Sequence, residues 1–137
     1  MKKRQCFLLV CLLVIGLVSC EKYSDKSSKI KIGFSQSISE DDTWRKSMDN
    51  SMKVEASLHP EIDLSIYNAN SSSKKQISDI ENMIDNNMDV IIIAPLGNDS
   101  ITSVIDKAFK KGIPIIILDR KVNTSNYTTF IGSDNVE

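Results

Sequence analysis

Residues 89–95 read DVIIIAP, and residues 114–118 read PIIIL. Both runs are short, continuously apolar and rich in β-branched residues, and neither alternates with polar residues as a half-exposed strand does. Runs of this kind are typical of strands that are buried on both faces, as in a parallel sheet. The two runs therefore predict two strands of a mostly parallel sheet that is covered on both sides.

A helix is predicted between these two strands. Asn98 or Asp99 is expected to cap its beginning, and Gly112 stands where a glycine ends many helices. The apolar residues of its buried face recur at helical spacing, and they are Ile101, Val104, Ile105, Ala108 and Phe109. The two strands and the helix together make one βαβ unit.

The same alternation continues on both sides of this unit. Upstream, a strand at residues 29–36 is followed by a helix at about 42–58, and a strand at residues 62–68 is followed by a helix with apolar residues between 77 and 88. Downstream, residues 128–131 are predicted to form a short strand. Strands that alternate with helices indicate an α/β protein, with an open, mostly parallel sheet and helices on both faces.

The composition excludes several classes of function. The chain has 137 residues with 17 basic and 18 acidic side chains, so it lacks the excess of positive charge that a nucleic-acid footprint needs. The three cysteines all lie within the first 20 residues, and His59 is the only histidine. A disulfide framework and a metal site built from cysteines or several histidines are therefore excluded downstream. We expect no metal, no cofactor and no nucleic-acid partner.

The first 19 residues are typical of an export signal. A basic start is followed by an apolar run from Cys6 to Val18, which is shorter than the roughly 20 residues of a membrane span. Residues 17–20 read LVSC and resemble a bacterial lipobox, which implies lipidation of Cys20 after cleavage; an uncleaved membrane anchor is the alternative. Residues 20–29 are polar and serine-rich and are predicted to be a tether.

Polar side chains follow every predicted strand. In an open parallel sheet, ligands bind outside the carboxyl ends of the strands, so these residues form the candidate site. They combine carboxylates, amides, guanidinium groups and one tryptophan, a mixture that suits the hydroxyls and the C–H face of a sugar. Trp44 also begins an apolar helical stripe, so its side chain fits either the core or the site.

Five segments in order resemble the type I periplasmic sugar-binding proteins, the ribose-binding and lac-repressor-like family. They are IGFS at 32–35, DVIIIAP at 89–95, KGIPI at 111–115, LDR at 118–120 and IGSDN at 131–135. The resemblance implies a two-lobed binding protein. Residues 30–137 then correspond to an incomplete N-terminal lobe, in a fragment or in the product of a truncated gene.

The resemblance also implies a set of ligand-binding residues. In that family an aspartate and an arginine after the fourth strand bond sugar hydroxyls, which assigns this role to Asp119 and Arg120. The loop after the first strand supplies polar contacts and an aromatic wall, which assigns Ser35, Asp42 and Trp44. The family often carries paired aromatic residues there, whereas residues 41–45 of this chain read DDTWR.

The implied function is binding of a small carbohydrate in the periplasm by a membrane-anchored lipoprotein, as the solute-binding part of a transporter with a permease as partner. The DDTWR string is similar to periplasmic sensor domains of hybrid two-component regulators, so ligand sensing for a membrane-bound histidine kinase is an alternative. A receiver-like signalling domain is more remote, because the third strand ends in Ala94-Pro95 and not in a phospho-accepting aspartate.

An enzyme is not favoured by the motifs of the chain. Gly33 stands alone inside the first strand, and no Gly-x-Gly-x-x-Gly motif follows that strand as a dinucleotide-binding fold requires. A hydrolase needs a nucleophile elbow and a partnered histidine, and His59 lies at a predicted helix end. We therefore expect a binding protein and no catalytic residues.

Overall fold

The computed structural model describes residues 28–37 and 42–132. The predicted signal peptide, the lipobox with Cys20 and most of the tether lie outside the described residues, as do residues 38–41 and 133–137.

The described residues form a parallel sheet of five strands that are joined by three helices. In chain order the elements are β1 (Ile30–Gln36), α1 (Thr43–Ser57), β2 (Ile62–Asn68), α2 (Ser73–Asp85), β3 (Val90–Ile93), α3 (Thr102–Lys110), β4 (Ile115–Leu118) and β5 (Thr129–Ile131). The strand order in the sheet is β2-β1-β3-β4-β5, and every neighbouring pair is parallel. The predicted α/β class and the parallel sheet are confirmed.

One face of the sheet carries the main hydrophobic core. Because side chains alternate along a strand, Ile91 and Ile93 of β3 share a face with Ile115 and Ile117 of β4, and all four are fully buried. Helices α2 and α3 cover this face with fully buried side chains that include Ile80, Met83, Ile84 and Ile105.

The opposite face is covered by α1 and is less completely buried. Met52 and Ala56 of α1 line one cavity together with Ile32 and Ile92, so helices lie on both faces as predicted. However, the alternate residues of β3 and β4, such as Ile92 and Ile116, are only half-buried among the described residues. The expectation that both strands are buried on both faces is therefore wrong for the described part, since α1 packs mainly against β2.

The helix ends follow the sequence closely in α1 and less closely in α3. Asp42 caps α1 by accepting hydrogen bonds from the backbone N–H groups of Trp44 and Arg45 at 3.0 and 3.1 Å. The predicted cap of α3 is wrong, because the cap position is Ile101 and Asp99 instead bonds the side chain of Asn123. Gly112 ends α3 with a φ of +81°, as predicted.

No helix within residues 42–132 is both long enough and apolar enough to cross a membrane.

Candidate functional site

The sheet has its switch point between β1 and β3. The chain passes from β1 to β2 on one side and then returns to place β3 on the other side of β1. The loops at the carboxyl ends diverge at such a point and leave a crevice, which is where open α/β sheets bind ligands. The carboxyl ends of β1, β3 and β4 meet the beginning of α1 at one end of the sheet. This region is called the edge from here on.

Arg45 is the central cation of this edge, although it is only 5% exposed. Its Nη2 donates to Oδ2 of Asp119 at 2.6 Å, and its Nη1 donates to Oε1 of Gln36 at 2.8 Å. Its Nε lies 3.6 Å from Oδ2 of Asp42. A buried guanidinium requires partners of this kind, because an unpaired charge in a protein interior is costly.

Gln36 extends the network away from the edge. The side chain is fully buried at the end of β1, and its Nε2 donates to Oδ1 of Asp49 on α1 at 3.0 Å. Its Oε1 accepts from Arg45 and also from the backbone N–H of Ser37 at 3.2 Å. A continuous chain of polar contacts therefore joins Asp49, Gln36, Arg45 and Asp119.

Asp119 is held at the edge in an unusual backbone conformation. Its φ is +69°, in a left-handed region that costs most residues other than glycine roughly 1–2 kcal/mol and that aspartate and asparagine enter more readily than the rest. Its backbone N–H donates to the carbonyl of Ile131 at 2.9 Å, which ties the residue to β5. Strain of this kind is concentrated at functional sites, where the surroundings impose it.

Trp44 forms the wall of a concavity beside Asp119. The concavity has a volume of about 340 Å³ and is lined by Trp44, Met48, Leu118, Asp119, Ile131 and Gly132. The indole is 56% exposed, and the Arg45 guanidinium carbon lies 5.4 Å from its ring centroid. The sequence left Trp44 open between core and site, and the structure places it at the surface of this concavity.

Of the other two residues predicted from the sequence, Arg120 lies beside the carboxylate that Arg45 contacts, and Ser35 lies on the other face of the sheet. Arg120 is exposed, and its Nη1 donates to the carbonyl of Leu96 at 3.3 Å while its Nε lies 3.9 Å from Asp119 Oδ2. Ser35 is fully buried, and its hydroxyl accepts from Nε2 of Gln76 at 3.2 Å on the α2 side of the sheet. The structure thus brings Asp42, Trp44 and Asp119 around Arg45.

A second buried glutamine supports the edge from the other face of the sheet. Nε2 of Gln76 also donates to the carbonyl of Ala94 at 2.9 Å, and its Oε1 accepts from the backbone N–H of Leu96 at 3.0 Å. Gln76 therefore fixes the loop after β3 relative to β1. Sequence reasoning did not single out this residue, because a polar residue in an amphipathic helix is ordinarily exposed.

The position of Arg45 and Asp49 has a weak signal in the sequence. Arg45, Asp49, Met52 and Ala56 recur at i, i+4, i+7 and i+11, which places all four on one stripe of α1. The buried residues of α1 are Arg45 and Asp49. Two charged residues that continue an apolar stripe would have indicated a buried polar network.

The described residues contain no group of three or more His, Cys, Asp or Glu side chains that could hold a metal ion. The polar groups of the edge include carboxylates, which can accept hydrogen bonds from a small polar ligand, and guanidinium groups, which can donate hydrogen bonds to it.

Comparison with known proteins identifies relatives along most of the chain. The D-xylose-binding periplasmic protein of Haemophilus influenzae is 31% identical over 124 residues, which are 90% of this chain and 37% of that protein. The fructose-binding periplasmic domain of a hybrid two-component system is 33% identical with a TM-score of 0.73, and the match covers 77% of this chain and 35% of that one. The arabinose-binding protein of an ABC transporter from Shewanella sp. ANA-3 is 34% identical with a TM-score of 0.70, over 76% of this chain and 35% of that one.

The chain spans about a third of the length of these relatives. The sequence pattern of the periplasmic binding protein domain matches residues 32–137. The fold, the order of the strands and this match agree, and the chain belongs to the periplasmic binding protein family.

Proposed function

We propose that the edge around Arg45 and Asp119 binds a small, neutral carbohydrate outside the cytoplasm. The observation that carries the proposal is the Arg45–Asp119 contact of 2.6 Å beside the largely exposed side chain of Trp44. Neighbouring sugar hydroxyls both donate and accept hydrogen bonds, so they match a carboxylate next to a planar guanidinium. The indole offers an apolar face to the C–H side of the ring.

The charge of the edge favours a neutral ligand over an anionic one. Asp42 and Asp119 balance Arg45 and Arg120 in charge among the described residues here, and the guanidinium of Arg45 is already paired. A carboxylate or phosphate on the ligand would have to share the exposed Arg120 with Asp119, and like charges at short range repel strongly in a partly buried site. A sugar without an ionised group avoids this repulsion.

The names of the relatives support the class of ligand. The similar proteins include binders of D-xylose, fructose and arabinose. We propose that residues 30–137 belong to an N-terminal lobe and supply one wall of a sugar-binding cleft. In this role the chain binds and does not catalyse, and the polar groups at the edge select the ligand by its hydroxyl pattern.

The proposed physiological role is delivery of the sugar to a transporter permease. A second candidate role is sensing, which is favoured by the similarity to the periplasmic domain of a hybrid two-component system. Purification of the native protein from membranes distinguishes the two roles. Co-purification of a permease supports import, whereas a histidine kinase domain in the same polypeptide supports sensing.

We further propose that Cys20 carries the lipid that holds the protein at the membrane, with residues 1–19 as the signal peptide and 20–29 as the tether. The LVSC string at residues 17–20 supports this role. In a diderm bacterium, the wild-type protein should fractionate with membranes and incorporate labelled palmitate, and Cys20→Ala should do neither. Wild-type fractionation and processing of Cys20→Ala would contradict the anchor.

The ligand class is tested by titration calorimetry on the longest natural form of the protein. The panel consists of neutral pentoses and hexoses, the uronic acids that match them, and the free amino acids. We expect at least one neutral sugar to bind and its uronic acid to bind more weakly by tenfold or more. Binding of an amino acid but no sugar would contradict the proposal, and equal binding of sugar and uronic acid would contradict the charge argument.

A further inference from the structure

The buried face of α1 carries a carboxylate that does not border the concavity. Asp49 is 8% exposed, and its Oδ1 accepts from Nε2 of Gln36 at 3.0 Å. Arg45 precedes it by one helical turn, a spacing at which opposite charges often pair directly. Here the guanidinium instead contacts Gln36, Asp119 and Asp42, and Gln36 lies between the two charges of α1.

The orientation of the Gln36 amide is set by its two charged neighbours. An amide has one end that donates and one end that accepts. With a carboxylate on one side and a guanidinium on the other, only one orientation satisfies both contacts, namely Nε2 toward Asp49 and Oε1 toward Arg45. The opposite orientation would place donor against donor and acceptor against acceptor in a site that is closed to water, where such mismatches are costly.

We propose that Asp49 is a positioning residue for the binding site, which fixes the amide of Gln36 so that this amide holds Arg45 against Asp119. The chain of contacts is 3.0 Å from Asp49 to Gln36, 2.8 Å from Gln36 to Arg45 and 2.6 Å from Arg45 to Asp119. Asp49 acts through Gln36 and Arg45 and does not touch the ligand. The expected change in sugar affinity when Asp49 is replaced rests on the proposed function. The expected change in how firmly Arg45 is held does not.

The test replaces Asp49 by asparagine in the full chain. The new side chain has the same shape but can donate as well as accept, so it no longer forces Nε2 of Gln36 toward itself. The amide is then held only through its Oε1, by Arg45 and the backbone N–H of Ser37, and Arg45 is held less firmly. We expect the guanidinium protons of Arg45 to exchange with solvent about tenfold faster by NMR, and sugar affinity to fall about tenfold, as for loss of a hydrogen bond to a charged group. The chain has three arginines, so Arg45→Lys assigns the Arg45 signals.

The matched control is Asp63→Asn, which makes the same chemical change at an exposed position of β2. This control should leave both exchange and affinity at wild-type values. A second comparison repeats Asp49→Asn in an Arg45→Lys background. If Asp49 acts through the guanidinium of Arg45, adding Asp49→Asn to Arg45→Lys lowers the affinity for the sugar by less than about twofold.

Two results would overturn the proposal. One is that Asp49→Asn behaves like Asp63→Asn in both measurements. The other is that Asp49→Asn lowers affinity as much in the Arg45→Lys background as in the wild type, which is the behaviour of a purely structural residue. If Asp49→Asn does not fold, Gln36→Met removes the amide at similar volume and must accelerate Arg45 exchange in the same way. If no form binds a sugar, the proposed function fails, and the exchange rates of Arg45 still decide the positioning role.

Discussion

Gly33 lies in the middle of β1, and we expect that even a methyl group at this position destabilises the fold. A Cβ on Gly33 would lie 2.8 Å from Sδ and 3.0 Å from Cγ of Met83, and 3.4 Å from Cγ of Met88. Met83 is fully buried and Met88 is 9% exposed, so neither side chain can move aside into solvent. Gly33→Ala therefore forces the core on the α2 face to repack.

The magnitude follows from two opposing effects. Overpacking of a buried site costs roughly 1–3 kcal/mol. Replacing glycine by alanine also reduces the conformational freedom of the unfolded chain, which stabilises the folded state by about 0.4–1 kcal/mol. We therefore expect Gly33→Ala to lower the free energy of unfolding by about 1–2 kcal/mol.

The matched control is Gly97→Ala in the loop after β3. A Cβ at Gly97 meets only Oγ of Ser100 at 3.7 Å, which is an ordinary contact. Because nothing opposes the unfolded-state effect here, this variant should be as stable as the wild type or more stable by up to about 1 kcal/mol. The assay is urea unfolding of the purified protein followed by far-UV circular dichroism. Equal unfolding midpoints for the two variants would refute the packing of β1 against α2.

Three further predictions concern the ends of α1 and the edge. Asp42→Ala removes the acceptor for two backbone N–H groups and should lower the free energy of unfolding by about 1 kcal/mol. Urea unfolding measures this loss, and an unchanged free energy of unfolding would contradict the cap. Asp119→Gly should be more stable than Asp119→Ala by about 1 kcal/mol, because glycine adopts a positive φ without a steric penalty. The reverse order of stability would contradict the left-handed backbone at this position. The carboxylates of Glu55 and Glu61 raise the pKa of His59, so the stability that this residue adds is fully present below its unfolded pKa of about 6.5 and is lost as pH rises through the folded value. His59→Gln should accordingly lower the melting temperature more at pH 5.5 than at pH 8.5, and an equal loss at both would contradict the ion pairs.

The sequence predicts the layered fold because its strongest signals are local. The apolar runs at 89–95 and 114–118 correspond to β3 and β4, and the helix predicted at 42–58 matches α1. The cap of α3 was mispredicted because Asp99 bonds Asn123, a residue 24 positions away, and such competition is not visible in a local pattern. The incomplete burial of β3 and β4 was not predicted. The apolar composition of a strand does not show how much of each face its neighbours cover.

The candidate site was only partly predictable for the same reason. Asp119 and Trp44 were proposed from the sequence because they follow a strand or begin a helix at this end of the sheet. The burial of Arg45 depends on Gln36 and on Asp119, which is 74 positions away, and only the folded chain brings these groups together. The helical stripe that Arg45 shares with Asp49, Met52 and Ala56 indicates burial, but only the folded chain shows which groups pair with the guanidinium.

We propose that Arg45 and Asp119 together form the sugar-binding edge, and calorimetry of three variants of the longest natural form of the protein measures their contribution. Arg45→Lys keeps the charge but loses the planar fork, and Asp119→Asn removes the charge of the acceptor. For a neutral sugar that binds the wild type, we expect both variants to lose about 2 kcal/mol or more, which is roughly thirtyfold in Kd. Asp63→Asn should bind as the wild type does. Wild-type affinity of both edge variants would contradict the account.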